Sequence, residues 1–148
     1  MKFPEIKAPE SHRVNAALGW LELGLPEEAR VELENLGFQH RYHPEVLVVR
    51  WKIAARMMQW DDALDLARCL VKTAPEWPAG HICLAHSLYN CQRAQDALSE
   101  LRSAAHRFPK TGPIIYFLAR LSHRVGPASE AELWLNRWND LANQSPIT

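Results

Sequence analysis

Apolar side chains recur every three or four residues through most of the chain, and short breaks rich in Gly and Pro interrupt them. This spacing places apolar side chains along one face of a helix, whereas a strand would need strict alternation. Prolines open several of the stretches, as expected at the first position of a helix. The pattern predicts eight helices joined by short loops.

The whole pattern returns every 34 residues, the spacing that separates Ala29 from Ala63. An acidic residue precedes the alanine in each copy. Three columns of the resulting alignment hold small or apolar residues: Ala29, Ala63, Ala97 and Ala131; Leu33, Ala67, Leu101 and Leu135; Leu36, Leu70, Ala104 and Trp138. A constant period of this length indicates stacked units, none of which can bury its apolar face alone.

Residues 75–109 show the unit most completely, with Leu84, Ala85, Ala97, Leu101, Ala104 and a closing Pro109. In these positions the chain resembles the tetratricopeptide repeat family. The resemblance covers about residues 10–143, although Arg41 and Asn143 stand where the first and fourth units would have the closing proline. It implies an all-α fold, a right-handed α-solenoid of four helix–turn–helix units.

The same resemblance implies one solenoid domain over residues 10–143, with units at about 10–43, 44–77, 78–111 and 112–143. Residues 1–9 contain two prolines and no helical period, so we expect an extended lead-in there. Residues 144–148 are expected to form a short tail. In the first unit, Val31, Leu33 and Leu36 predict a second helix that continues to Gly37.

Charge and hydropathy limit the classes of partner. Seventeen basic residues balance seventeen acidic ones, so the net charge favours neither a nucleic acid nor an anionic membrane. No apolar run approaches the ~20 residues that span a bilayer, and the first twelve residues lack the apolar core of a signal peptide. We therefore expect a cytoplasmic protein that does not contact membranes.

The sequence contains no motif of a known catalytic or cofactor site. Neither a GxSxG, an HExxH, a phosphate-binding loop nor a dinucleotide fingerprint is present. His40 and His43 are spaced closely enough to suggest a metal, but no second ligand pair accompanies them. We therefore expect a protein that is not an enzyme and that needs no cofactor and no metal.

The resemblance also implies a binding surface, since the first helix of each tetratricopeptide unit lines a concave face that binds peptides. Carried over column by column, the polar positions of this face are Lys52, Arg56, His86, Tyr89, Asn90, Tyr116, Arg120, His123 and Arg124. Bases interleaved with aromatic hydrogen-bonding groups are complementary to an acidic segment. Arg120 and Arg124 lie one helical turn apart and repel by a few tenths of a kcal/mol, which favours an anionic ligand over simple solvation of the helix.

Three functions fit these observations. The first is a small adaptor or scaffold that binds a peptide or protein segment, with an acidic segment as one option. The second is a chaperone of the type III secretion kind, which holds an export substrate in a cradle of similar size. The third is a helical-repeat protein that binds nucleic acid, in which Tyr89, Tyr116 and His123 would stack on bases. The neutral charge weighs against this third function.

The last predicted helix has unusually large apolar residues. Leu133, Trp134 and Leu141 stand in columns that are mostly polar or small in the earlier units, and Trp138 is larger than its counterparts. If these four side chains are exposed, they predict a weak homodimer through the C-terminal helix. The alternative is that the indoles fold over their own unit, so that no apolar surface is exposed for a dimer to cover.

Overall fold

A computed structural model describes residues 3–144 of the chain, and every regular element in that range is helical. The α-helices are α1 (Glu10–Glu22), α2 (Pro26–Glu34), α3 (Pro44–Arg56), α4 (Trp60–Thr73), α5 (Pro78–Asn90), α6 (Ala94–Arg107), α7 (Gly112–Val125) and α8 (Ala128–Gln144). A 3-10 helix, Phe38–His40, lies between α2 and α3. The predicted all-α fold with eight helices is confirmed; the tail beyond Gln144 lies outside the described residues.

Each odd-numbered helix packs against the even-numbered helix that follows it, which gives four helical hairpins. The hairpins group into two compact units, each larger than a single repeat. The first unit ends at Pro75 and the second begins at Glu76, so each contains two hairpins, and the terms first unit and second unit have this meaning below. The expectation of one domain over residues 10–143, divided into four repeats at the stated bounds, stays a prediction.

Three of the hairpins turn in the same way. The left-handed residue beyond α1, α3 and α5 is Gly24, Met58 and Gln92, with φ of 76°, 57° and 61° respectively. The next amide N–H then donates to a carbonyl five residues earlier, as from Leu25 to Trp20 at 2.9 Å. This arrangement satisfies carbonyl groups that a helix end leaves open.

The core of the first unit lies between α1 and α3. Val14, Ala17 and Leu21 of α1 pack with Val46 and the rest of the apolar face of α3. Ile6 joins the same cluster with an exposed fraction of 5%, so an apolar contact holds the segment that precedes α1. No helix precedes Glu10 within the described residues, and the extended lead-in over residues 1–9 stays a prediction.

Helix α2 is shorter than expected. It has nine residues, against fourteen in both α4 and α6, and it ends at Glu34. The Asn35 side chain donates a hydrogen bond to the Val31 carbonyl at 2.9 Å, and Gly37 takes an extended conformation with ψ of 144°. The predicted extension to Gly37 is therefore wrong, because polar side-chain bonding and an extended glycine end the helix before its last leucine.

The core of the second unit lies between α6 and α7. Leu98 and Leu101 of α6 and Ile114 and Leu118 of α7 are all fully buried. Next to this core, Arg102 of α6 forms an ion pair with Glu130 of α8. These contacts give α6 two partners in the following hairpin.

Candidate partner-binding surface

Helix α7 carries a stripe of three polar residues, Tyr116, Arg120 and Arg124, at successive four-residue intervals. Four-residue spacing places them on one helix face. All three are exposed, Tyr116 to 42%. We call this set the α7 stripe.

Tyrosine side chains fix both arginines of the α7 stripe. The Arg120 guanidinium lies over the Tyr116 ring at 5.7 Å from its centroid. Arg124 donates from Nη1 to the Oη atom of Tyr89 on α5, at 2.9 Å. A ring face and a phenol oxygen hold a cation in position without neutralising it. The arginine repulsion expected from the sequence is thus partly offset within the chain.

No carboxylate neutralises the α7 stripe in the described part of the second unit. The ion pairs found there involve His81, Arg93 and Arg102, and neither Arg120 nor Arg124 takes part. Two cations held on an exposed helix face, with carboxylates absent within salt-bridge distance, present a positive field to solvent.

The imidazole of His86 on α5 stacks on the Phe117 ring at 4.2 Å between centroids and 27° between planes. The side chain is exposed at its edge, but the covered ring face loses hydration, and this desolvation lowers the pKa of His86. Asn90 donates from Nδ2 to the His86 carbonyl at 2.8 Å, so its side-chain amide is bonded to the backbone of the last turn of α5. His123 is exposed on α7.

The structure brings together most of the residues that the sequence predicted for the second unit. Tyr89 meets Arg124 and Tyr116 meets Arg120, while His86 meets Phe117, which the sequence analysis did not select. Lys52 and Arg56 are both exposed on α3, one helical turn apart, in the first unit. That all nine residues form one surface stays a prediction.

The apolar residues of α8 divide into covered and exposed ones. Trp138 packs against Tyr116 at 5.2 Å between ring centroids, and the Trp134 indole donates to Glu130 Oε1 at 3.3 Å. Both indoles and Leu141 are half-buried, whereas Leu133 is 59% exposed. The indoles therefore have contacts within their own unit, and the predicted homodimer stays a prediction.

Sequence reasoning missed the ion pair between α6 and α8. Arg102 donates from Nε and Nη2 to the two carboxylate oxygens of Glu130, each at 2.6 Å. The Arg102 hydrogen bond, more than any other contact, lowers the pKa of Glu130. The 34-residue alignment contained the signal, because the column of Arg102 holds a base and the column of Glu130 holds acids in successive second helices. The predicted binding residues came only from the first helix of each repeat.

The described residues offer neither a metal site nor a membrane-spanning helix. Among residues 3–144, no group of three His, Cys, Asp or Glu side chains is placed to hold a metal ion. Within the same range, no helix combines the length and the apolar character that crossing a bilayer requires.

Solved structures of tetratricopeptide-repeat proteins match this helix arrangement. TTC0263, a thermophilic TPR protein from Thermus thermophilus, superposes with a TM-score of 0.79 at 19% identity, over 90% of this chain and 75% of that one. The chain has the tetratricopeptide-repeat fold. A MamA double mutant from strain RS-1 gives a TM-score of 0.78 at 12% identity, over 97% and 80% of the two chains. MamA from strain MSR-1 gives a TM-score of 0.73 at 17% identity, over 95% of this chain and 83% of that one.

The tetratricopeptide-repeat fold confirms the α-solenoid class that the 34-residue period predicted. At these identities the likeness extends to the fold alone. No protein-family model matches the sequence, and no curated protein does either.

Proposed function

We propose that this protein is an interaction scaffold whose second unit binds an acidic segment of a partner protein on the surface around the α7 stripe. The observation that carries the proposal is the pair Arg120 and Arg124, fixed by Tyr116 and Tyr89 and paired with no carboxylate among residues 76–144. Arginines that are already oriented lose less conformational freedom when a carboxylate binds. The tetratricopeptide-repeat fold supports a partner that is a protein.

The first unit contributes a basic pair of its own in this proposal. Lys52 and Arg56 are exposed on α3, and neither forms an ion pair within residues 3–75. Their charges attract the same class of acidic partner. They lack the tyrosine contacts that fix Arg120 and Arg124, so we expect them to speed association more than they slow dissociation.

The test is the binding of a fluorescent octapeptide of alternating glutamate and leucine, with a lysine–leucine octapeptide as the charge control. Only the acidic peptide should bind to the parent protein. In the variant Arg120→Glu, Arg124→Glu its affinity should fall about tenfold or more, because attraction becomes repulsion. The matched control is Arg107→Glu, Lys110→Glu, the same charge change at exposed residues elsewhere in the second unit.

Two results would contradict the proposal. One is equal affinity of the parent and the Arg120, Arg124 variant for the acidic peptide. The other is tighter binding of a single-stranded oligonucleotide with a steep salt dependence, which would favour the nucleic-acid function instead.

A further inference from the structure

The first unit contains an open groove between α2 and α4, with α3 as its floor. It encloses about 820 Å³. The floor and walls are mainly apolar, with contributions from Leu33, Leu36, Val46, Leu47, Ile53 and Leu66. Phe38 and Tyr42 stand at its rim with exposed fractions of 78% and 57%. Aromatic rings this exposed above an apolar floor are typical of an interaction surface.

The groove is open for a reason that the 34-residue alignment shows. Glu34 and Asp62 lie two repeats before Arg102 and Glu130, the ion pair that joins α6 to α8. Two carboxylates in these columns cannot form the ion pair that joins the corresponding helices in the second unit. Arg30 likewise stands two repeats before the fully buried Leu98, and it pairs with Glu27 and Glu34 at the surface. Together with the early end of α2, these exchanges leave a gap between α2 and α4, and its apolar walls are the half-buried side chains of Leu33, Leu36 and Leu66.

One end of the groove is basic. Arg50 of α3 is half-buried, donates from Nη1 to the Arg41 carbonyl at 3.2 Å, and lies 6.0 Å from the centroid of the Tyr42 ring. Burial first, and then the charge of Arg41, lowers the pKa of Arg50. The ion pairs found among residues 3–75 involve Arg13, Arg30 and Arg68, so neither Arg41 nor Arg50 has a carboxylate partner there. A bound carboxylate would favour the charged form of Arg50 and so offset both effects.

The other end of the groove is acidic. Asp62, Asp65, Leu66 and Cys69 follow one face of α4 at helical spacing, and all four line the groove. Cys69 lies near Arg50, so these four residues of α4 run from the acidic end of the groove to its basic end. Asp62 and Cys69 are seven positions apart along the helix, a length of about 10 Å.

We propose that this groove binds a protein segment with a complementary order of side chains. The segment carries an acidic side chain at the Arg41 and Arg50 end, apolar side chains over the floor, and a basic side chain about 10 Å away at the Asp62 end. The site is separate from the α7 stripe and does not depend on the function proposed for it.

The experiment is selection from a phage-displayed library of dodecapeptides, with the full chain as the target. Peptides that the groove selects should share the acidic–apolar–basic order. Their affinity should fall about tenfold with Arg41→Glu or Arg50→Glu, which place a like charge against the acidic end of the peptide. Because Arg41 is exposed, Arg41→Glu keeps the test valid if Arg50→Glu lowers stability. Lys72→Glu, an exposed change on α4 outside the groove, is the matched control.

A second variant tests the cause of the opening. Glu34→Arg reproduces in the first unit the charge arrangement of Arg102 and Glu130, because it places a guanidinium in the column of Arg102 while Asp62 keeps the carboxylate. We expect it to close the groove, to lower the affinity of the selected peptides about tenfold, and to raise the urea midpoint. Glu28→Arg, an exposed acid-to-base change on α2, should do neither.

The proposal is overturned if the library gives no peptide with the expected order. It is also overturned if selected peptides bind the Arg41, Arg50 and Glu34 variants as tightly as the parent. Peptides that lose affinity only with Arg120→Glu, Arg124→Glu would assign the binding to the α7 stripe and would count against the groove while leaving the proposed function intact.

Discussion

The two units differ at one pair of equivalent positions, which carry an ion pair between α6 and α8 in the second unit and line a groove between α2 and α4 in the first. In the second unit, Arg102 and Glu130 form two hydrogen bonds of 2.6 Å and join α6 to α8. In the first unit the same columns hold Glu34 and Asp62, and a groove of about 820 Å³ separates α2 from α4. In this chain, the charges in these two columns therefore differ in the same way as the surfaces: opposite charges where the helices are joined, like charges where a groove lies between them.

The largest expected difference concerns the column of Arg30 and Leu98. Leu98→Ala removes a fully buried side chain from between α6 and α7, so the free energy of unfolding should fall by about 2–5 kcal/mol. Arg30→Ala changes an exposed residue in the same column and should leave the urea midpoint close to that of the parent. Urea denaturation followed by far-ultraviolet circular dichroism measures both. Equal losses in the two variants would show that the units are packed alike, contrary to the comparison.

A smaller effect is expected from the ion pair itself. Arg102→Glu should lower the free energy of unfolding by about 1 kcal/mol, since the pair is bidentate but solvent screens the partly exposed guanidinium. The swapped variant Arg102→Glu, Glu130→Arg should recover part of the loss. If the single and the swapped variants are equally unstable, charge complementarity is not what closes this seam.

The same pair gives the second unit a dependence on pH. Because the Arg102 hydrogen bond lowers the pKa of folded Glu130, the stabilisation is complete above the glutamate pKa of the unfolded chain, about 4.3. It is lost as the pH falls through the lower pKa of the folded state. Carboxyl titration by NMR should show the pKa of Glu130 returning toward the ordinary value in Arg102→Gln.

The smallest effect is expected on α8, where Leu133 stands in the column that Asp65 occupies in the first unit. Since Leu133 is 59% exposed while both indoles have contacts within their own unit, any homodimer through α8 should be weak. Sedimentation velocity at about 100 μM, above a micromolar dissociation constant, should detect it. Trp134→Ser, Leu141→Ser should sediment as a monomer; a parent that does the same would rule the dimer out.

The sequence predicted those features that depend on one column at a time. The 34-residue period gave eight helices, four hairpins and the exposed basic positions of α7. It did not predict how arginines and tyrosines pair, because the contact of Arg124 with Tyr89 depends on the stagger between α5 and α7. It also missed the early end of α2, where Leu36 continues the apolar period but Asn35 and Gly37 end the helix.

The groove was hidden from sequence reasoning for a related physical reason. A groove is a property of two columns at once, here that of Glu34 and that of Asp62. Each residue alone looks like ordinary surface charge on a helix. Only their comparison with Arg102 and Glu130 two repeats later reveals a missing ion pair.

The left-handed turns after α1, α3 and α5 also have a consequence for protein engineering. Because Gly24, Met58 and Gln92 adopt nearly the same φ and recur at the repeat length, the first three hairpins have interchangeable joints. Gly126, at the corresponding place after α7, is extended instead, with φ of −111° and ψ of −177°. A Cβ atom there would lie 3.0 Å from the Ser122 carbonyl oxygen. Recombination at the first three turns should therefore join segments of matching backbone conformation, whereas a junction at Gly126 would not match them.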